Sequence, residues 1–177
     1  APPSREDLEA YKDIRAELEA MSGHVNGAHA AIDWTPIRYI CRSVPRPEIA
    51  GLMRRSDACL VTPLADGMNL VAKEYVAAQD PEDPGVLILS HFAGAAERMQ
   101  AALCVNPYDI GEMARAIRRA VSMPLDERRE RHAELLEGVR REGIGWWTRN
   151  YLARLRGMRG DRADGGSSSQ ATAAASN

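Results

Sequence analysis

A short apolar run near the middle of the chain is followed by residues that suit the binding of an anion. The run ends at Val61, and Pro63, Asp66, Gly67 and Asn69 come after it. Four apolar residues in a row predict a buried strand, which Pro63 ends because it has no N–H for a ladder. Asp66 and Gly67 form a turn pair in which we expect Gly67 to adopt a positive φ. Asn69 is a typical helix N-cap.

A strand, a tight turn and a helix start leave main-chain N–H groups unpaired and pointing in one direction. We expect a helix over residues 69–79, and its first N–H groups have no partner within the helix. These donors and the helix dipole attract anions, above all phosphate. Glu74 lies one turn into this helix, where its carboxylate can accept hydrogen bonds from ribose or sugar hydroxyls.

Spacing alone favours a plainer interpretation of the same segment. Strand–turn–helix units with Asp-Gly turns are common in α/β folds and usually bind nothing. Neither Gly-x-Gly-x-x-Gly nor Gly-x4-Gly-Lys-Ser/Thr occurs in the chain, so neither nucleotide fingerprint applies. The pattern therefore leaves a structural turn and a phosphate site both open.

The residues in and after the turn resemble one known family. Residues 62–77, 84–96 and 105–109 closely resemble the trehalose-6-phosphate synthases, which are retaining glycosyltransferases with two Rossmann-like domains. The resemblance runs over about residues 1–155 and corresponds to the second half of the family's chain. It implies an α/β fold, with a parallel sheet and helices on both faces, as in the nucleotide-sugar-binding half of a GT-B glycosyltransferase. Residues 1–156 would form this donor-binding domain, with its first strands missing.

The resemblance implies a donor site built around the turn. Asp66, the implied catalytic residue, would hold hydroxyls of the donor glucose, and Glu74 would hold the ribose. Read alone, Asp66 is a turn-stabilising residue bonded to nearby backbone. Main-chain N–H groups at the turn would meet the sugar, and those at the helix start would meet the diphosphate. The complete implied donor set is Val44, Asp66, Gly67, Met68, Asn69, Leu70, Val71, Ala72, Lys73 and Glu74.

Two positions outside the turn receive roles from the resemblance. Arg5 matches the arginine that contacts the phosphate of the acceptor, glucose 6-phosphate, and a guanidinium fork suits a phosphate dianion. Read alone, Arg5 is a solvated surface charge. Val44 matches the residue whose main chain meets the nucleotide base. Some family members have an aromatic residue there, so the base, uracil or guanine, stays open.

The implied reaction transfers glucose, with retention, from a nucleotide donor to glucose 6-phosphate and gives α,α-trehalose 6-phosphate. The donor would be UDP-glucose or GDP-glucose, and neither a cofactor nor a metal is implied. The partners would be the missing N-terminal domain and, at full length, further copies of the enzyme. Because that domain and an upstream Arg/Lys pair are absent from this sequence, we expect the fragment to be inactive alone and to bind donor weakly. A related transferase or pseudo-glycosyltransferase with another acceptor, or a non-catalytic interaction module, stays open.

Composition excludes several other classes of protein. The chain of 177 residues is 45% hydrophobic and 27% charged, which is typical of a globular domain. A net charge of −2 gives no electrostatic case for nucleic acid or an anionic membrane. No apolar run reaches the length of a transmembrane helix. The three cysteines are isolated within apolar runs, which predicts reduced core thiols in a cytoplasmic protein.

Hydrophobic periodicity predicts the elements that position the turn. The predicted strands are residues 32–41, 57–61, 86–89 and 103–105. The predicted helices are residues 5–21, 48–55, 69–79, 110–122, 125–142 and a last helix from Trp146.

The sequence also predicts where the first helix ends and which faces of two later helices are buried or exposed. We expect Gly23 and Gly27 to stop the first helix. In the helix over 110–122, the residues expected to face inward are Met113, Ile117 and Val121. The helix over 125–142 carries charges of both signs, which predicts a solvated, ion-paired face.

The end of the chain has two predicted features. Trp146 and Trp147 begin the last helix, and they would either anchor it to the missing domain or cover the core of this one. From Gly157 onward the chain is rich in Gly, Ser and Ala, without hydrophobic periodicity. Residues 157–177 are therefore predicted to be a disordered tail.

Overall fold

The computed structural model describes residues 9–164. The chain divides into two compact units, residues 1–49 and 50–177. The assignment of residues 1–156 to a single domain stays a prediction. The strands are β1 (Ala58–Val61), β2 (Val86–Ser90) and β3 (Leu103–Val105). The helices are α1 (Glu9–His29), α2 (Arg46–Arg54), α3 (Leu70–Ala78), a 3-10 helix (Gly94–Glu97), α4 (Ile110–Val121), α5 (Leu125–Arg141) and α6 (Ile144–Asp164).

The three strands form a parallel sheet in the order β1-β2-β3. Every residue of the central strand β2 is buried, as its continuous apolar run predicts. The prediction that β1 is covered on both faces is wrong, because Leu60 is 46% exposed and only Val61 is buried. Within the described residues β1 is an edge of the sheet, so less of its surface is covered than in β2.

Helices cover both faces of this sheet, which confirms the predicted α/β class. On one face, Leu87 and Leu89 pack with Tyr75 of α3 and Leu135 of α5. On the other face, the buried residues are Val86, Ile88, Leu103 and Val105 of the sheet with Ala116, Ala120 and Met123. Burial of this kind contributes about 25 cal/mol per Å² of apolar surface, so both helical layers stabilise the sheet.

The inward face of α4 differs from the prediction. Ala116 and Ala120 are buried, whereas Ile117 and Val121 are exposed. A spacing of four residues drifts by about 40° at each step around a helix with 3.6 residues per turn. The predicted inward row of Met113, Ile117 and Val121 therefore turns away from the sheet along the helix. Only Met113 packs against the core.

Predictions for the first unit were less successful. The expected stop at Gly23 and Gly27 is wrong, because α1 continues to His29. A glycine within a helix lowers its stability by only about 1 kcal/mol relative to alanine. In addition, a residue beyond the helix holds its last turns. The side chain of Asn26 donates to the carbonyl of Ile37 and accepts from its N–H, both at 2.9 Å.

The strand predicted over residues 32–41 is also not formed. The structure shows only an isolated antiparallel bridge between Ala31 and Trp34. Aromatic and β-branched residues favour a strand only where the surrounding sheet provides a packing surface.

Ion pairs at helical spacing, Glu127 with Arg131 and Glu137 with Arg141, confirm the predicted ion-paired face of α5. Other ion pairs connect α5 to the loop before β2. Arg128 pairs with Asp83 at 2.6 Å, and Arg129 pairs with Glu82 at 3.0 Å. One helical turn after Arg128, His132 is buried, and its Nε2 lies 3.0 Å from the carbonyl oxygen of Val76 in α3. This contact fixes α5 against the helix that follows the turn.

The two tryptophans of α6 have different surroundings. The guanidinium of Arg98 lies over the ring of Trp146 at 4.9 Å and also pairs with Glu142 at 3.2 Å. Trp147 stacks on Tyr151 instead and remains exposed. Trp146 therefore contacts a residue of its own unit, and neither of the two roles predicted for the tryptophans is tested. Helix α6 continues to Asp164, so the prediction of a disordered tail from Gly157 is wrong over residues 157–164. Residues 165–177 lie outside the described residues, and their disorder stays a prediction.

We expect Tyr75 to make the stability of the second unit fall at high pH. Burial raises the pKa of Tyr75 to about 12, because the phenolate would lose its hydration. Its folded pKa lies above the unfolded value of about 10, so its contribution is complete below that pH and is lost as the pH rises toward the folded pKa. Between about pH 9 and about pH 11 the loss should be roughly 1.4 kcal/mol, measured by urea unfolding. The Tyr75→Phe variant should lack this component, and equal pH slopes in the two proteins would contradict it.

Candidate functional site

The turn predicted to bind an anion lies at the carboxyl end of β1. Val61 ends the strand, and α3 begins at Leu70 after Asn69. The side-chain oxygen of Asn69 accepts the N–H of Ala72 at 3.0 Å, which confirms Asn69 as the N-cap. Ligands of open parallel sheets bind beyond the carboxyl ends of the strands, which is where this turn lies.

The backbone of the turn differs from the prediction at two positions. No glycine in the described residues has a positive φ, so the expectation for Gly67 is wrong. Asn69 takes that conformation instead, with φ 75°. Asparagine tolerates this region because its short side chain can hydrogen-bond locally. Here the amide of Asn69 donates to Asp66 Oδ2 at 2.9 Å.

Asp66 organises the turn through both of its carboxylate oxygens. Oδ1 accepts the N–H of Met68 at 3.1 Å, and Oδ2 accepts the Asn69 amide. A carboxylate has about four acceptor positions, so roughly half of them remain for hydroxyl donors. The side chain is half-buried rather than enclosed. The turn-stabilising role is thus present in the structure, and it leaves capacity for a ligand.

The turn presents unpaired main-chain donors to solvent. Within the described part of the chain, no acceptor bonds the N–H groups of Gly67, Asn69, Leu70 or Val71. The N–H of Met68, expected to join them, is already bonded to Asp66. Leu70 and Val71 are 59% and 45% exposed, so a ligand can approach their N–H groups.

The first turns of α3 divide into buried and open positions. Ala72 is fully buried, and Asn69 accepts its N–H, so the geometry gives Ala72 a packing role. Lys73 is half-buried. Glu74 is exposed, and its carboxylate bonds to no other described residue, so it is free to accept hydroxyl groups.

Residues 92–95 hold the turn through main-chain hydrogen bonds. The N–H of Asp66 donates to Phe92 O at 3.1 Å, and the N–H of Gly94 donates to Asp66 O at 2.9 Å. The N–H of Ala95 donates to Met68 O at 2.8 Å. The predicted strands and helices leave residues 92–95 unassigned, and Gly94 is the one sequence signal there of close backbone approach.

Two predicted site residues, Arg5 and Val44, do not belong to the turn segment. Arg5 is outside the described residues, and the half-buried Val44 belongs to the first unit, in the loop before α2. Cys41, Cys59 and Cys104 are unpaired and half-buried, and burial raises the pKa of the Cys59 and Cys104 thiols.

The described residues also bear on metal binding and membrane insertion. Among residues 9–164, no group of three His, Cys, Asp or Glu side chains converges as metal ligands would. None of the described helices has the length and apolar content needed to cross a membrane.

The second unit is an α/β domain with a parallel sheet, helices on both faces and open N–H groups beyond the carboxyl edge of the sheet. This arrangement agrees with the Rossmann-like half of a GT-B glycosyltransferase. The model for glycosyltransferase family 20 matches residues 1–157. The chain therefore belongs to glycosyltransferase family 20.

Individual relatives agree with this assignment. The trehalose-6-phosphate synthase of Cronobacter sakazakii is 53% identical over 88% of this chain, which covers 33% of that protein. A Burkholderia xenovorans α,α-trehalose-phosphate synthase (UDP-forming), solved in complex with glucose-6-phosphate, is 52% identical with a TM-score of 0.85. That match covers 88% of this chain and 35% of the other chain. An E. coli protein solved with bound UDP-2-fluoro glucose is 51% identical with a TM-score of 0.84, covering 88% of this chain and 34% of its own. The chain thus spans about a third of the length of these relatives.

Proposed function

We propose that this chain supplies the nucleotide-glucose site of a retaining glucosyltransferase that makes α,α-trehalose 6-phosphate. The donor is UDP-glucose, and the acceptor is glucose 6-phosphate. The observation that carries the proposal is the set of unpaired N–H groups at Gly67, Leu70 and Val71, beside the helix start. Relatives solved with glucose-6-phosphate and with UDP-2-fluoro glucose support this choice of substrates.

The unpaired N–H groups suit the leaving diphosphate of such a donor. Negative charge grows on the diphosphate as its bond to glucose breaks, and fixed donors stabilise that charge without having to reorganise. The dipole of α3 acts in the same direction, because its positive end lies at Leu70. Asp66 would hold glucose hydroxyls with its remaining acceptor positions, and Glu74 would hold the ribose.

Roles outside the turn complete the proposal. Arg5 would bind the phosphate of glucose 6-phosphate, and the main chain of Val44 would contact the base. The longer enzyme would add the N-terminal domain, act in the cytoplasm and form homo-oligomers. The chain of 177 residues would be inactive alone, so trehalose 6-phosphate made from UDP-glucose and glucose 6-phosphate by this chain would contradict that part of the proposal.

Donor binding tests the assigned carboxylates directly. We expect Asp66→Ala and Glu74→Ala each to weaken binding of UDP-glucose by about tenfold, because a hydrogen bond to a charged group contributes about 1.5–3 kcal/mol. The loss at Asp66 should be the larger, because its removal also frees the Met68 N–H and the Asn69 amide. Titration calorimetry of the 177-residue chain, supported by amide NMR shifts for weak binding, provides the measurement.

The matched control is Glu134→Ala, which removes an exposed carboxylate from α5 rather than from the turn or α3. It should leave the affinity unchanged. Equal affinities in all four proteins would show that the two carboxylates do not hold the donor. Absence of binding by UDP-glucose and GDP-glucose alike would favour an interaction module instead. Tighter binding of GDP-glucose than of UDP-glucose would support the donor site but assign guanine, not uracil, as the base of the donor.

A further inference from the structure

We propose that Gly94 is a positioning residue for the donor turn, because its missing side chain lets residues 92–95 press against the turn and set the direction of its N–H groups. The inference rests on the proposed function and adds a residue to it. Gly94 lies in the 3-10 helix that follows β2, and it is 27 positions from Gly67 along the sequence.

The two segments meet along a short main-chain ladder. Asp66 and Ala93 form a parallel bridge, and the hydrogen bonds on either side of it join Asp66 to Phe92 and to Gly94. A further bond runs from the N–H of Ala95 to the carbonyl of Met68 at 2.8 Å. These bonds fix the carbonyl directions of Asp66 and Met68 and, through the planar peptide bonds, the N–H directions of Gly67 and Asn69.

Glycine is required at position 94 because there is no space for a Cβ. A Cβ on Gly94 would overlap the carbonyl oxygen of Gly67, and it would lie 2.9 Å from the carbonyl carbon of Gly67 and 3.4 Å from the Met68 nitrogen. All three atoms belong to the backbone, so no side chain can rotate away. Gly94 does not have a positive φ, so its backbone conformation alone would accept alanine.

The displacement that a Cβ causes should fall on the turn rather than on residues 94–97. Ala95 and Ala96 are buried, and Arg98 holds the end of the 3-10 helix through Glu142 and the ring of Trp146. Gly67 and Met68, in contrast, are exposed and lie against solvent. The turn is therefore the partner that can move, and its N–H groups would move with it.

The Gly94→Ala variant of the 177-residue chain tests this inference with two measurements. In the absence of ligand, the amide NMR shifts at Gly67, Met68 and Asn69 should change, while those of β2 stay in place. In a titration with UDP-glucose, the dissociation constant should rise by about tenfold, because small displacements of binding groups have large effects on recognition. The control is Gly138→Ala in α5, where an added Cβ meets nothing within 4 Å, and it should change neither quantity.

The outcomes separate this inference from the proposed function. Unchanged turn shifts in folded Gly94→Ala would overturn the positioning role. Changed turn shifts with unchanged UDP-glucose affinity would also overturn it. If UDP-glucose fails to bind the unmodified chain, the proposed function is contradicted, and the ligand-free shifts still decide whether Gly94 sets the turn.

A second variant covers the case in which Gly94→Ala does not fold. Ala95→Pro removes the N–H that bonds to Met68 O without adding a Cβ at position 94. The same shift and affinity changes would support the inference. Failure of both variants to fold would overturn it, because the segment would then support the whole unit rather than the turn.

Discussion

Replacement of Gly85 by alanine is expected to destabilise the second unit by about 3 kcal/mol or more. A Cβ at this position would overlap the hydroxyl of Tyr75 and the carbonyl oxygen of Ser56, and it would lie 3.0 Å from the carbonyl oxygen of Asp57. Tyr75 is fully buried, and its hydroxyl donates to that same Ser56 carbonyl. The N–H of Gly85 bonds to the side chain of Gln79 at 2.7 Å, so the glycine cannot easily withdraw.

Urea unfolding followed by circular dichroism measures this loss. The control is Gly51→Ala, because a Cβ there meets nothing within 4 Å and α2 should gain up to about 1 kcal/mol. The double variant Gly85→Ala/Tyr75→Phe removes one of the overlapping atoms and should recover part of the stability. If Gly85→Ala unfolds at the same urea concentration as the unmodified chain, the close packing described here is wrong.

Replacement of Asn69 by alanine is expected to cost about 2 kcal/mol and to loosen the start of α3. Loss of the N-cap bond to Ala72 accounts for about 1 kcal/mol, and the positive φ of 75° costs alanine about another 1 kcal/mol. The Asn69 amide also ceases to hold Asp66. Amide hydrogen exchange at Val71 and Ala72 should therefore become faster, and the urea midpoint should fall.

The Asn69→Gly variant separates these two costs. Glycine accepts the positive φ without strain but provides no cap, and at N-cap positions it costs only a few tenths of a kcal/mol. We therefore expect Asn69→Gly to lose clearly less stability than Asn69→Ala. If the two variants lose the same amount, backbone conformation has no part in the effect of Asn69.

Residue types with a strong local preference made part of the fold predictable. The apolar run of β2 predicted a buried strand, and Asn69 predicted the start of α3, because caps and continuous apolar runs act over a few neighbouring residues. The charges of α5 predicted its exposed, ion-paired face for the same reason. The resemblance to a known family added the chemical roles, which periodicity alone left open.

Features that depend on distant parts of the chain were not predictable in this way. Leu60 is apolar, like the residues of a strand covered on both faces, yet the burial of β1 depends on which strands lie beside it. Gly23 is a helix stop only where nothing else holds the helix, and Asn26 holds α1 through Ile37. Glycine accepts a positive φ more readily than asparagine, yet Asn69 takes it in this turn, where its side chain bonds to Asp66 and to the N–H of Ala72.

The candidate site shows the same division between local and distant causes. Asp66 and Glu74 were identified from the sequence because their side chains lie in or just after the turn. The support from Gly94 and Ala95 was missed, because contacts between main chains leave no pattern of side-chain chemistry to read.

The donors at Leu70 and Val71 belong to the backbone rather than to side chains, and this affects how the site tolerates sequence drift. Exchanging either side chain for another of ordinary helix propensity leaves the N–H in place. An alanine scan would therefore pass over the N–H groups proposed to bind the diphosphate and would detect only the side chains that position them. Homologues can differ in side chain at these two positions and keep the same N–H donors, so variation there is poor evidence of altered chemistry.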